Sequence, residues 1–279
     1  MIVIYTLLLL LPFNLFAGFS ISGVDHPRTI SGTTCPESVS GGTSDYPEPV
    51  AHYRFENGAL TTDSKSTNTL TNVNTVTADT SNYQEGAASA DLEAGSSQYF
   101  TITDANLAAG FPLKNGDTGK TITVSAWIRL ESAIGASAYY IIWSKYSSTA
   151  ASFWFGLNEN ERILASIGTG TGTTEEAFTP HATTLTADGS TWYHVTASFR
   201  DSDKAYALRV RNSSCAVVGA DVESNTSANI NVENATVAIG AVYWTSWSLY
   251  FDGLIDDLNV FADYLTADEA TLVCKRLYK

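Results

Sequence analysis

Lys120-Thr-Ile-Thr-Val-Ser-Ala-Trp-Ile-Arg-Leu130 alternates apolar and other side chains along its whole length. Ile122, Val124, Ala126, Ile128 and Leu130 share one face; Thr121, Thr123, Ser125, Trp127 and Arg129 share the other. Successive side chains of a strand point to opposite sides, so this pattern is a strand with one face against a core. Residues 97–103, 138–145, 152–158, 162–168, 192–200, 205–211, 235–242 and 254–261 carry further strand signals. Between them lie turn formers: Asn115-Gly116, Asp188-Gly189 and the Gly/Thr tract from Gly168 to Thr174. Many short strands with turn punctuation and no intervening helix predict an all-β fold, a two-sheet antiparallel jelly-roll sandwich. One short C-terminal helix is expected. Thr266-Ala-Asp-Glu269 is a capping box, in which hydroxyl and carboxylate each bind the other residue's amide. Leu272, Val273 and Leu277 are expected to face the body, with Lys275 and Arg276 at the end favoured by the helix dipole.

The 279 residues include 29 acidic and 15 basic side chains, for a net charge of −14. Such a surface repels phosphate, which excludes nucleic acid as a partner and disfavours anionic membranes. A hydrophobic fraction of 44% is enough for a large core and excludes wholesale disorder. Residues 1–17 read as a secretory signal: the apolar run Ile2–Leu11, then Pro12, then a small-residue cleavage site at Ala17. The run is too short for a comfortable span, so the mature chain is expected to be secreted with no membrane span. Residues 18–49 form a separate region. Gly18–Val24 alternates like a strand, and Pro27, Pro36, Pro47 and Pro49 mark a Pro/Ser/Gly linker before a domain over 50–279. Cys35, Cys215 and Cys274 have no metal-site spacing. In an oxidising compartment one pair bridges, and Cys35–Cys274 is favoured because chain termini often lie close together.

No pattern of catalytic residues stands out. Two carboxylates flanking a sugar bond are the minimum for glycoside hydrolysis. Glu175-Glu176, Asp201-Ser-Asp203 and Asp256-Asp257 lack the alternation that sets such carboxylates on one face, so no enzyme is expected. His194 alternates with Trp192 and Thr196 and reads as a hydrogen-bonded sheet residue. Tyr243, Trp244, Trp247 and Tyr250 crowd one segment, and aromatic rings of this kind stack on sugar C–H groups. Asn212, Asn225 and Asn234 head glycosylation sequons, which require solvent-facing positions.

Several stretches together resemble the laminin-G-like branch of the concanavalin A-like jelly rolls. They are Ala51-His-Tyr-Arg-Phe-Glu56, Tyr83-Gln-Glu-Gly86, Gln98–Ile102, Val124-Ser-Ala-Trp-Ile128, Trp192–Ala197, Ala238-Ile-Gly240, and Phe251–Phe261 followed by Leu265–Ala270. The resemblance runs from Val50 to the C-terminus. It implies two curved sheets, with the Ser-Ala-Trp-Ile strand inside and the final strand returning beside the first. It also implies calcium as a cofactor, held by Glu56 or Asp63 on one side and Asp256 with Asp257 on the other, all oxygen ligands of the kind calcium takes. The family's Asp-x-Ser-Gly-Asn loop reads here Asp63-Ser-Lys-Ser-Thr-Asn68.

Two functions follow as expectations. The first is a secreted, non-catalytic module that recognises carbohydrate or matrix. The second is a filament or surface-layer subunit, with Phe19, Ile21 and Val24 on a strand that inserts into the sheet of the next copy, making a head-to-tail homopolymer.

Overall fold

A computed structural model describes residues 47–147, 149–170 and 174–276, together with the backbone of a short strand pair at 29–30 and 33–34. The expected signal, the Cys35 position and the assembly strand at Phe19, Ile21 and Val24 lie outside the described residues. The chain divides into two units, Met1–Asp45 and Tyr46–Lys279.

In chain order the strands are β1 (Thr29–Ile30), β2 (Thr33–Thr34), β3 (Ala51–Tyr53), β4 (Thr71–Val73), β5 (Thr77–Asp79), β6 (Ser89–Leu92), β7 (Tyr99–Ile102) and β8 (Thr121–Leu130). There follow β9 (Tyr140–Lys145), β10 (Phe153–Leu157), β11 (Ile163–Gly168), β12 (Glu175–Ala177), β13 (Trp192–Arg200) and β14 (Ala205–Asn212). The last are β15 (Val222–Asn225), β16 (Val237–Ile239), β17 (Val242–Tyr243), β18 (Trp247–Ser248) and β19 (Gly253–Phe261), before helix α1 (Ala267–Cys274). One sheet has seven strands in the order β12-β11-β10-β9-β16-β7-β4. The other has eight, β15-β14-β13-β8-β19-β6-β5, with β3 also paired to β19. All pairings among the described residues are antiparallel, and the Leu258↔Tyr53 register returns the last strand beside β3, the first strand of the second unit.

The core lies between the sheets. Ile122, Val124, Ala126, Ile128 and Leu130 from β8 meet Phe153, Phe155, Ile163 and Ile167 from the other sheet, all fully buried. β8 occupies the middle of its sheet, between β13 and β19. At the start of β19, Gly253 has φ +131°, and a Cβ there would lie 2.2 Å from the Arg129 carbonyl oxygen. Glycine is therefore what lets β19 close on β8 at this point.

The face of β8 that reads as polar is also covered. Trp127, Trp192, Leu254, Cys215 and Cys274 form a second apolar cluster on it. The disulfide joins Cys215 to Cys274, with Cα atoms 5.8 Å apart, and so corrects the expected Cys35–Cys274 pairing. The physical reason is local: α1 packs on β14, which sets Cys274 over the turn that carries Cys215. The capping box of α1 is present as expected, and Val273 packs with Leu265 and Phe261. Replacing Cys274 by Ser opens a loop whose ends are 59 residues apart. The expected loss is about 2–4 kcal/mol in urea unfolding. Added reductant should bring the parent protein to the same stability.

Candidate functional site

The outer face of the seven-stranded sheet carries a groove of about 250 Å³. Its floor follows from register. Ile141 and Leu164 both lie opposite Gly156, Trp154 opposite Ser144 and Ser166, and Ser166 opposite Ala177. These residues therefore share one side of the pleat, while Phe153, Phe155, Ile163 and Ile167 point into the core. The β17–β18 hairpin forms one wall. It hangs on β9 through Ile141 N–H donating to the Leu249 carbonyl at 3.2 Å and Ser144 Oγ donating to the Ala241 carbonyl at 2.8 Å.

Glu175 is the polar centre of the groove. Its Oε2 accepts a hydrogen bond from Trp154 Nε1 at 2.8 Å, and its Oε1 accepts one from the Tyr146 hydroxyl. Burial, reinforced by the adjoining carboxylate, pushes the Tyr146 hydroxyl well above the usual tyrosine range, so Tyr146 stays a donor. Two donors fix the carboxylate and leave its other lone pairs for incoming hydroxyl groups. Rings flank it: Tyr139 meets Trp154 edge-on at 5.9 Å, and Trp244 lies 5.3 Å from Tyr146.

The crowded aromatic segment splits in two. Trp244, 40% exposed, faces the groove. Trp247 and Tyr250 turn the other way onto Tyr99, with ring centroids 4.5 Å and 6.0 Å from it, and Tyr243 lies against Trp247. These three form a satellite cluster with Val73 and Ala238 or border it. Tyr139, Tyr146 and Trp154 were not singled out in the sequence. The available signal was Trp154 alone on the outward side of Phe153-Trp-Phe155. Glu175 stood out only as half of an acidic pair. Its neighbour Glu176 faces elsewhere and binds the Ser227 and Ala228 amides at 2.6 and 2.9 Å.

The four residues named for calcium are engaged by N–H donors. Asp63 accepts from the amides of His52 and Lys65 and from Asn68 Nδ2, which organises its loop. Glu56 accepts from the Ala87 amide and pairs with Arg54. Asp256 Oδ2 accepts from the Gln84 and Glu85 amides at 2.6 and 2.8 Å. Asp257 meets His52 Nε2 at 2.6 Å, so His52 joins Asp63 and Asp257, as the resemblance brings their two segments together. A β-bulge between Asp256 and Asn259 keeps the pair from simple alternation, and both carboxylates are buried. The set is a hydrogen-bonded anchor between β3 and β19, and Asp256 Oδ1 and Asn259 Oδ1 beside it are buried without a hydrogen-bond partner. Among the described residues, the acidic trio with oxygens within 4.8 Å of one another is Asp91, Glu93 and Glu131.

His194 departs from its expected role. It is fully buried, its ring nitrogens have no hydrogen-bond partner, and its ring meets Trp127 edge-on at 5.2 Å. Of the sequon residues, Asn225 and Asn234 are exposed. Asn212 is half-buried, and its Oδ1 accepts from Ser214 and Ala216. Among the described residues no helix is long and apolar enough to cross a membrane.

Solved structures share this architecture. The binding domain of botulinum neurotoxin DC in complex with SialylT has a TM-score of 0.58 at 12% identity, over 82% of this chain and 52% of that one. The binding domain of botulinum neurotoxin serotype D matches with the same TM-score, identity and coverage. This chain thus spans about half the length of those toxin domains. Domain 4 of AbnA, a GH43 extracellular arabinanase from Geobacillus stearothermophilus, in complex with arabinotriose, has a TM-score of 0.52 at 19% identity, over 82% of this chain and all of that one. No curated protein matches the chain. A family model described as the concanavalin A-like lectin/glucanases superfamily (Laminin_G_3) matches residues 94–271, well over half of the chain, and the chain belongs to that superfamily.

Proposed function

We propose that this protein is a non-catalytic recognition module for neutral glycans outside the cell, and that the groove around Glu175 holds the sugar. The observation that carries the reading is the Glu175 carboxylate, clamped by Tyr146 and Trp154 between aromatic rings. Sugars present apolar C–H faces and rows of hydroxyl donors; the rings take the first and the carboxylate takes the second. The same carboxylate, in a chain of net charge −14, repels acidic sugars from this groove. The arabinotriose complex of one fold relative, a neutral oligosaccharide, supports the ligand class. Glu175 is the one carboxylate among the described groove residues, which supports binding without hydrolysis, since hydrolysis takes two. The disulfide supports an oxidising, extracellular setting.

Trp154→Ala removes both a stacking face and a donor to Glu175. We expect affinity for neutral oligosaccharides on a glycan array to fall by about 30-fold or more, as for a lost aromatic anchor. Glu175→Gln should cost about tenfold by weakening charge-assisted acceptance of hydroxyls. Trp247→Ala should leave binding unchanged. Equal array signals for the parent and Trp154→Ala contradict the assignment.

A further inference from the structure

On the opposite sheet a second crevice, of about 330 Å³, opens beside the disulfide. Its polar lining is rich in side chains that can donate, though the Ser214 hydroxyl already donates to Asn212 Oδ1 at 2.8 Å. Lys275 and Arg276 follow α1, Ser213 and Ser214 follow β14, and Gln84 comes from the loop anchored on Asp256. None of the described residues forms an ion pair with Lys275 or Arg276, and no carboxylate lines the crevice among them. Trp127 closes it below. That ring is 1% exposed, and its Nε1 is a buried donor without a hydrogen-bond partner. An unmatched buried N–H costs free energy until an acceptor arrives. Two cations side by side with no ion-pair partner among the described residues stand out in a chain with 29 acidic and 15 basic residues.

We propose that this crevice binds the oxyanion of an acidic saccharide, a carboxylate or a sulfate, through Lys275, Arg276, Ser213 and Trp127. The volume lies at the small end of ligand pockets, about 300–1,000 Å³, and suits one or two sugar units. Cations and hydroxyl donors supply charge-assisted hydrogen bonds, and the disulfide holds α1 so that they stay grouped. The site takes the charge class that the Glu175 groove rejects. It does not depend on that groove.

Calorimetric titration of the full chain tests it with four probes: a glucuronate-containing disaccharide, a sulfated disaccharide, their neutral counterpart and inorganic sulfate. At least one acidic disaccharide should bind while the neutral one leaves this site untouched, and the two acidic arms tell carboxylate from sulfate. K275Q/R276Q, both exposed positions, should weaken that binding by about tenfold or more, and Trp127→Phe, which keeps a ring but loses the donor, by about threefold. Raising salt from about 50 to about 500 mM should weaken it as well. Trp154→Ala should leave it unchanged, so failure here is distinguishable from failure of the groove reading. Binding that survives K275Q/R276Q overturns the proposal. So does binding of inorganic sulfate alone, or of none of the probes.

Discussion

Asp104→Ala is expected to destabilise the protein by about 3–5 kcal/mol, because it leaves the Lys145 charge in the interior without its counter-ion. Lys145 Nζ lies 2.8 Å from Asp104 Oδ1, with the side chains 0% and 5% exposed. Burial pulls the lysine below its usual range, and the hydrogen bond and charge of Asp104 pull it back up. Lys145 also donates to the Glu233 carbonyl, and Asp104 accepts from the Asn115 amide, so the pair joins β9 to two loops. A buried pair need not beat apolar side chains of like volume. Lys145→Met with Asp104→Leu should therefore recover most of the loss in urea unfolding. A single variant no worse than a surface change, about 0.5 kcal/mol, would contradict this account.

The second large effect is hidden in the parent protein. Asp256 is pushed up to about 7 by burial, with Asp257 adding to it and the Glu85 and Gln84 amides opposing. His194 is pulled down to about 4 by burial, with Arg211 and Arg276 adding to it and Asp257 opposing. An acid whose folded value is raised stabilises most below its unfolded value, near 4, and loses that stability as pH rises towards 7. A histidine whose folded value is lowered does the reverse. Its contribution is complete above 6.5 and is lost as pH falls towards 4. Each pH unit is worth about 1.4 kcal/mol per group, so between pH 4 and 6.5 the two slopes cancel.

Single substitutions should expose them. His194→Gln should give a protein whose stability falls by about 1–3 kcal/mol as pH rises from 4 to 7. Asp256→Asn should give one whose stability rises by a similar amount across the same range. Urea midpoints at a series of pH values check both. Two variants with parallel, unchanged pH profiles would show that these groups are not held as described.

The large strands were legible because each side chain's fate was decided by period-two alternation alone. Each strand segment named between residues 97 and 261 contains an observed strand. β12 was missed because Glu175-Glu176-Ala177 has no apolar face, and only its pairing with β11 makes it a strand. β15 is likewise half-exposed and held by β14. Trp127 was assigned correctly to the outward face of β8, but that face is closed by the disulfide cluster, which depends on where α1 docks. The same docking decides the cysteine pairing. In the groove, Trp244 was found from local crowding. Trp154, Tyr146 and Glu175 come from three segments, and their meeting depends on sheet register, which no short window contains.

The six tryptophans (Trp127, Trp143, Trp154, Trp192, Trp244 and Trp247) give a direct readout of whether the groove takes a sugar. Their indole N–H resonances can be followed in a two-dimensional NMR titration with a neutral oligosaccharide drawn from the array hits. Trp154, whose N–H is held by Glu175, and Trp244 should shift together and saturate, while Trp143 and Trp192 stay still. Saturable shifts confined to Trp247, or no shift at Trp154 under any neutral glycan, would contradict the groove as the recognition site.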